Sequence, residues 1–186
     1  MRPSRFDASR LDVEALAIEG ARLAGEWPAA EFSRLLDSAH AACDPAALPP
    51  VRWEATGEYR TPRAGEAQVW LRLKVHANVP LVCQRCLGPL DSAIDVDTAI
   101  RFVRGEDAAA DLDAASEFDV LALTNSLDLE ALAEDELLLA LPLVPRHEPC
   151  TAGEAGVALA RESEGDPGGH PFAPLAALKR DSPVRH

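Results

Sequence analysis

Apolar and polar residues alternate through the middle of the chain. Between residues 69 and 76 the odd positions are apolar, and the even positions are the polar, basic or aromatic residues Trp70, Arg72, Lys74 and His76. The same alternation occurs in 51–56 and 94–102. A period of two indicates strands with one buried face. Because the intervening connections are too short for helical crossovers, we predict an antiparallel meander.

Apolar residues recur at helical spacing in three other segments, 11–21, 29–42 and 129–141. Ser126 or Asp128 can cap the third helix, which Pro142 ends. The pattern therefore predicts an α+β fold in which a mainly antiparallel central sheet is flanked by N-terminal and C-terminal helices.

The domain organisation follows from changes in composition along the chain. Residues 1–150 are predicted to form a single α+β domain, in which 105–118 is an exposed acidic loop because it is rich in Asp and Ala without periodicity. Residues 151–169 are rich in Gly and Glu and predict a flexible linker. Residues 170–180 predict a short C-terminal docking helix, whose anchors for a partner are Phe172, Leu175 and Leu178.

The net charge of -13 argues against a protein that binds nucleic acid with its whole surface. Residues 105–139 contain 11 acidic groups and no Lys or Arg, whereas 51–104 contain 8 basic and 6 acidic groups. The acidic block is either an ordinary solvated surface or a surface that imitates nucleic-acid charge and holds a basic protein.

Several features predict a cytoplasmic protein without membrane contact. No apolar run approaches the roughly 20 residues that cross a bilayer, and residues 1–10 are too polar and charged for a secretory signal. The four cysteines are few and unevenly spaced, which favours reduced or metal-bound thiols over disulfides.

Two pairs of candidate ligands stand far apart in the sequence. Cys83 and Cys86 are separated by two residues between two predicted strands, and His147 and Cys150 have the same spacing. Such pairs have the form of a four-ligand zinc site, because thiolate and imidazole ligands suit zinc. Two alternatives remain open at this point, namely structural thiols without a ligand and a redox dithiol, which is expected at the start of a helix.

The even residues of 69–76, together with Arg85 in the turn, could stack on single-stranded RNA and neutralise its phosphates. The alternative is an ordinary solvated strand face, since nucleic-acid surfaces are usually more basic. The chain contains no Gly-rich phosphate loop, G-x-S-x-G or H-E-x-x-H motif. The acidic residues likewise form no recognisable catalytic set.

Three blocks of sequence carry a family resemblance: CQRCL at 83–87, EDELLLALPLVPRHEPC at 134–150 and PFAPLAALK at 171–179. Together they resemble the bacterial YceD family of large ribosomal RNA subunit accumulation proteins, over roughly residues 5 to 180. The resemblance implies a non-enzymatic role in ribosome biogenesis, in the synthesis, processing or stability of large-subunit ribosomal RNA. That RNA or its precursor is then a direct or indirect partner.

The acidity of the chain suggests how such a role could be indirect. Our hypothesis is that the block at 105–139 holds a basic large-subunit ribosomal protein, so that RNA accumulates because assembly succeeds. The rival interpretation is an enzyme, either a dithiol oxidoreductase or a metal-dependent enzyme that processes RNA.

Overall fold

Five strands form one sheet in their sequence order. The structure is a computed structural model that describes residues 6–63 and 65–150. The strands are β1 (Arg22–Trp27), β2 (Val51–Arg60), β3 (Gln68–Val82), β4 (Pro89–Val103) and β5 (Val120–Ala122). The first four pair antiparallel, and β5 pairs parallel with β4. The predicted α+β class with a mainly antiparallel sheet is confirmed.

Four α-helices accompany the sheet within the described residues: α1 (Val13–Glu19), α2 (Ser33–Leu36), α3 (Glu106–Asp113) and α4 (Leu129–Leu139). α1 contacts β2 and β3, and α4 contacts β3 and β4. Their buried residues join those of the sheet in one hydrophobic core. None of the helices in this part of the chain is both long and apolar enough to cross a membrane.

Side-chain caps fix where the two core helices begin. The Asp12 carboxylate accepts a hydrogen bond from the Ala15 N–H at 2.9 Å and caps α1. The Asp128 carboxylate accepts hydrogen bonds from the Glu130 and Ala131 N–H groups at 3.1 Å and caps α4. Of the two predicted caps, Ser126 and Asp128, the second is therefore the one used. Each cap satisfies amide donors that the first helical turn leaves unpaired.

α1 crosses β2 at Gly57, where the two backbones nearly touch. A Cβ atom at this position would lie 2.5 Å from the backbone carbonyl carbon of Leu16. Leu16 and Ala17 are buried on the helix side of this contact. Only glycine permits α1 to lie this close to the sheet.

Three predicted boundaries are corrected by the structure. Residues 105–118 are not a loop throughout, because α3 forms there, contacts β5 and buries Ala109. The helix expected at 29–42 is reduced to a 3-10 turn, Ala29–Glu31, and the single turn of α2. The edge strand β1 follows the shortened first helix directly and had not been predicted.

Glu134 joins α4 to the start of α2 through a carboxylate that is almost buried. Its residue is 8% exposed. One carboxylate oxygen accepts from the Arg34 and Leu35 N–H groups at 2.8 and 3.1 Å, and the other accepts from Arg34 Nε at 2.9 Å. The neighbouring Asp135 contacts the same guanidinium but is more than half exposed.

We predict that Glu134→Ala lowers the free energy of unfolding by about 3 kcal/mol, because it leaves amide donors and a guanidinium without their acceptor. The matched variant Asp135→Ala should cost under about 1 kcal/mol, since its ion pair is exposed to solvent. Urea unfolding followed by tryptophan fluorescence measures both changes. Equal losses in the two variants would contradict the bridging role of Glu134.

Candidate metal centre

The turn that joins β3 to β4 places the first two candidate ligands. The strands remain paired up to Val82 and Pro89, and within the turn the Leu87 N–H donates to the Cys83 carbonyl at 2.8 Å. Leu87 has a positive φ of 59°, which turns the chain back toward β4. Cys83 and Cys86 therefore lie at the tip of a long hairpin. They do not lie at the start of a helix, where a redox dithiol is expected.

The segment after α4 returns to this turn and brings the second pair of ligands with it. The Gln84 N–H donates to the Pro145 carbonyl at 2.8 Å, which holds the returning chain beside the turn. His147 Nε2 lies 3.0 Å from the Pro89 carbonyl oxygen at the start of β4. These two contacts place His147 and Cys150 beside the cysteine pair.

The four side chains form one compact group, as the sequence spacing predicted. Cys83 Sγ lies 3.9 Å from Cys150 Sγ, and Cys86 Sγ lies 3.5 Å from His147 Nδ1. The candidate ligand atoms of the group all lie within 4.8 Å of one another. In a tetrahedral site with ordinary bond lengths these separations are about 3.8 Å for two sulfurs and about 3.5 Å for sulfur and nitrogen. The group can therefore hold a metal ion.

The cysteines of this group are not joined by disulfide bonds. A disulfide requires about 2.05 Å between sulfurs, and the four cysteines are free thiols. Cys43 is not a member of the group. The cysteines that lie close together in the described residues are therefore Cys83, Cys86 and Cys150.

The electrostatic environment differs between the two buried sulfurs. Burial raises the pKa of the Cys83 thiol, but the N–H groups of Cys86, His147 and Arg85 donate to its sulfur and together lower the pKa to about 5. Burial raises the pKa of Cys150, and the contacts with Cys86 and Cys83 raise it further. Three neighbouring thiols cannot all become anionic here without a cation between them, and a metal ion would supply that charge.

The His147 ring is oriented as a metal-binding imidazole would be. Its Nδ1 faces the Cys86 sulfur, and its Nε2 faces the Pro89 carbonyl. A carbonyl oxygen only accepts, so Nε2 carries the proton and Nδ1 offers its lone pair to the centre of the group.

The predicted RNA-contact face is the outer face of the sheet, and much of it is engaged internally. Asp97 accepts two hydrogen bonds from Arg72, at 2.8 and 2.9 Å, and also pairs with Lys74 at 3.4 Å. His76 lies 2.7 Å from Asp95. The hydrogen bond from Arg72 is the main cause that lowers the pKa of Asp97. An RNA strand would have to compete with these acids for the basic side chains.

Trp70 lies on this face but is not available for stacking, which corrects the prediction for that residue. It is 6% exposed. The ring of Phe118 packs at 4.8 Å, the guanidinium of Arg60 lies 4.2 Å over the indole, and the indole N–H donates to Gln68. Trp70 therefore anchors the segment before β5.

Arg85 projects from the turn at the metal centre. It lines a 330 Å³ cavity with Arg146 and the segment His147–Cys150. Both arginines are exposed, and neither forms an ion pair within the described residues. Arg85 was among the predicted contact residues and Arg146 was not, although its position next to His147 in the sequence could have indicated it. The role of Arg85 in RNA contact stays a prediction.

The predicted linker, 151–169, and the predicted docking helix, 170–180, lie outside the described residues. The same holds for the three anchors Phe172, Leu175 and Leu178. These predictions therefore stay predictions. Glu134, the buried acid of the described residues, could not be predicted, because it is one of 11 acids in 105–139 and no local pattern distinguishes it.

The sequence that forms this site matches a known protein family. The family model described as "Large ribosomal RNA subunit accumulation protein YceD" matches residues 71–179, which is more than half of the 186-residue chain. The chain belongs to the YceD family. The matched range contains most of β3, all of β4 and α4, and the whole Cys/His group.

A curated relative supports the same assignment. The large ribosomal RNA subunit accumulation protein YceD of Haemophilus influenzae is 37% identical over 118 residues, which cover 60% of this chain and 66% of the relative. The matched part is thus just under two thirds of the relative's length. No solved structure shows a significant match to this YceD-family chain.

We predict that the full chain, purified without chelator, carries one divalent metal ion per molecule, because its four candidate ligand atoms lie within 4.8 Å of one another. Elemental mass spectrometry checks the ratio. The double variant Cys83→Ser/Cys86→Ser should bind under about a tenth of this amount. The control Cys43→Ser should bind as much as the natural chain, because Cys43 lies outside the group. Metal-free natural protein would rule out the centre.

Proposed function

We propose that this protein is a non-enzymatic cytoplasmic factor in the synthesis, processing or stability of large-subunit ribosomal RNA. The observation that carries the proposal is the family match across residues 71–179. The name of the Haemophilus influenzae relative refers to the accumulation of the same RNA. The matched range includes residues 71–103 of the hairpin and the Cys/His centre, which carries the most distinctive chemistry of the chain.

The metal in this proposal is zinc in a structural role. Three sulfurs and one imidazole nitrogen are the donor set that favours zinc among common cellular metals. Four protein ligands fill a tetrahedral site and leave no position for a water or substrate, which a catalytic zinc requires. The centre would then hold the hairpin tip and the returning chain together, in keeping with a role other than catalysis.

The direct partner that we propose is a basic large-subunit ribosomal protein. The 11 acids of 105–139 are supplied by α3, α4 and the segments beside them. Burial raises the pKa of Glu136, and Asp119 and Asp135 raise it further. Burial likewise raises the pKa of Glu130, with Glu31 next in effect. Crowded carboxylates of this kind gain from a cationic partner, which would relieve their mutual repulsion.

We expect deletion of the gene to lower large-subunit ribosomal RNA relative to small-subunit RNA. Both the natural gene and Cys43→Ser should restore the ratio, whereas Cys83→Ser/Cys86→Ser should not, because loss of the metal centre frees the hairpin tip. Quantitative RNA analysis measures the ratio, and immunoblotting shows how much of each variant accumulates. An unchanged ratio in the deletion strain would refute the proposed role, and cleavage of precursor RNA by the purified protein would refute its non-enzymatic nature.

A pull-down at moderate salt tests the partner. The natural chain should recover a basic large-subunit ribosomal protein even after nuclease treatment, because the acidic surface binds protein directly. Neutralising Glu106, Asp107 and Asp111 of α3 to Gln or Asn should reduce recovery about tenfold. The matched control neutralises Glu19, Glu26 and Asp37, which lie outside the block. Recovery of RNA without ribosomal protein would contradict this part of the proposal.

A further inference from the structure

Two arginines lie side by side at the hairpin tip, next to the metal centre. The Gln84 N–H donates to the Pro145 carbonyl at 2.8 Å. Arg85 and Arg146 are the residues that follow these two in the sequence. The N–H groups of Arg85 and of the residue after Arg146 both donate to Cys83 Sγ. These contacts bring the two arginines together, although the turn and the returning segment are far apart in the sequence.

Both guanidinium groups are available to a ligand. Arg85 and Arg146 are exposed, and their side chains form no hydrogen bond or ion pair with residues 6–63 and 65–150. They line the same 330 Å³ cavity. A guanidinium presents its N–H donors in a fixed fork, which fits the oxygen atoms of a phosphate or a carboxylate. The cavity is therefore bordered by two unused sets of anion-binding donors.

The surroundings of the tip leave these two positive charges largely uncompensated. The segments 77–90 and 137–150 contain one acidic residue, Glu148, although the whole chain has 31 acidic residues and a net charge of -13. Glu148 also lines the cavity and is exposed, but it pairs with neither arginine. Many basic side chains elsewhere in the described residues do pair with acids; they are Arg22, Arg34, Arg60, Arg72, Lys74 and Arg104. An anion can thus approach the tip without meeting a row of acids.

The chemistry and size of the cavity favour a phosphate of single-stranded RNA. Arginine binds phosphate through paired N–H groups and is the residue most suited to nucleic-acid backbones. The volume of 330 Å³ is near the lower end of the range of about 300–1,000 Å³ for small-ligand sites. The cavity therefore suits one nucleotide of a strand rather than a helix of a partner protein. Short turns that a metal ion holds in place are a common support for single-stranded RNA.

We propose that Arg85 and Arg146 together bind a backbone phosphate of single-stranded RNA, and that the metal centre holds the two arginines at the spacing that this requires. The inference rests on the proposed function and adds a direct RNA contact to it. The acidic surface of 105–139 then holds a basic protein while the tip holds RNA. One chain thus contacts both components of a ribosomal subunit.

Fluorescence anisotropy of the full, zinc-loaded chain tests the contact, with short labelled single-stranded RNAs that together cover the large-subunit ribosomal RNA. Arg85→Gln/Arg146→Gln should weaken binding about tenfold and reduce the slope of log K against log salt by about 0.7, the contribution of one phosphate. The matched control Arg52→Gln/Arg63→Gln removes two exposed arginines elsewhere and changes the net charge equally. It should bind like the natural chain, and equal losses in the two variants would overturn the proposal.

Removal of the metal should weaken RNA binding as much as loss of the two arginines, and added zinc should restore it, because the closed group holds the returning segment against the turn. Undiminished binding by the chelator-treated chain would overturn the role of the metal. Elemental mass spectrometry of Arg85→Gln/Arg146→Gln should find the natural amount of zinc. A variant that loses zinc but binds RNA as the natural chain does would show that the arginines only balance the thiolate charge, which would also overturn the proposal.

Competition identifies the class of ligand. Unlabelled RNA should displace the labelled strand at a far lower concentration than inorganic phosphate or polyglutamate. Displacement by polyglutamate as readily as by RNA would show that the site takes an acidic protein. Equally ready displacement by inorganic phosphate would show a site for a free anion. Either result would overturn the assignment to RNA.

The deletion strain separates this inference from the proposed function. A natural chain that binds none of the RNAs, together with a deletion that still lowers the ratio of large-subunit to small-subunit RNA, would overturn the direct contact alone. An unchanged ratio in the deletion strain would refute the proposed function, whatever the anisotropy shows.

Discussion

The pairing of β3 with β4 is the constraint on which the other features depend. The two strands remain in register from Val69 opposite Phe102 to Val82 opposite Pro89, whereas β2 follows β3 only as far as His76. The last part of the hairpin therefore extends beyond the sheet. Its support comes from the bridge between Ala39 and Leu81, from the His40 N–H bond to the Pro80 carbonyl at 2.7 Å, and from Val79 and Leu81, which are buried in the core. At its tip, the returning segment brings the Cys/His group against the turn.

The same register determines the character of the outer sheet face. It places His76 opposite Asp95 and Lys74 opposite Asp97. The basic residues of β3, which alone resemble a nucleic-acid-binding surface, therefore lie next to acidic residues of β4. Cross-strand pairs of opposite charge stabilise a sheet modestly and also neutralise its face. Arg85 and Arg146, near the hairpin tip, form no ion pair within residues 6–63 and 65–150, in contrast to the largely paired charges of this face.

The sequence predicted the hairpin, α4 and the Cys/His group because each leaves a local pattern: alternation, a cap at Asp128 and paired ligands. It did not predict β1, since Leu23 is the one buried residue of that edge strand and Gly25 breaks its pattern. α3 was missed because Ala109 alone is buried. The prediction that Trp70 contacts RNA was wrong because Phe118 and Arg60, from other parts of the chain, cover its ring. Such burial depends on tertiary contacts, which the spacing of apolar residues along the sequence does not reveal.

The wide spacing of the four ligands has a consequence for the order of events during synthesis. Cys83 and Cys150 are 67 residues apart, and Cys86 and His147 are 61 apart. A nascent chain that ends before Arg146 has two of the ligands and cannot close the site, whatever metal is available. Closure also requires α4 and the returning segment to be in place, because long-range contacts form only after the entropy of the intervening loop is overcome. Occupancy of the centre thus distinguishes a chain that has been synthesised and folded as far as Cys150 from one that ends before it.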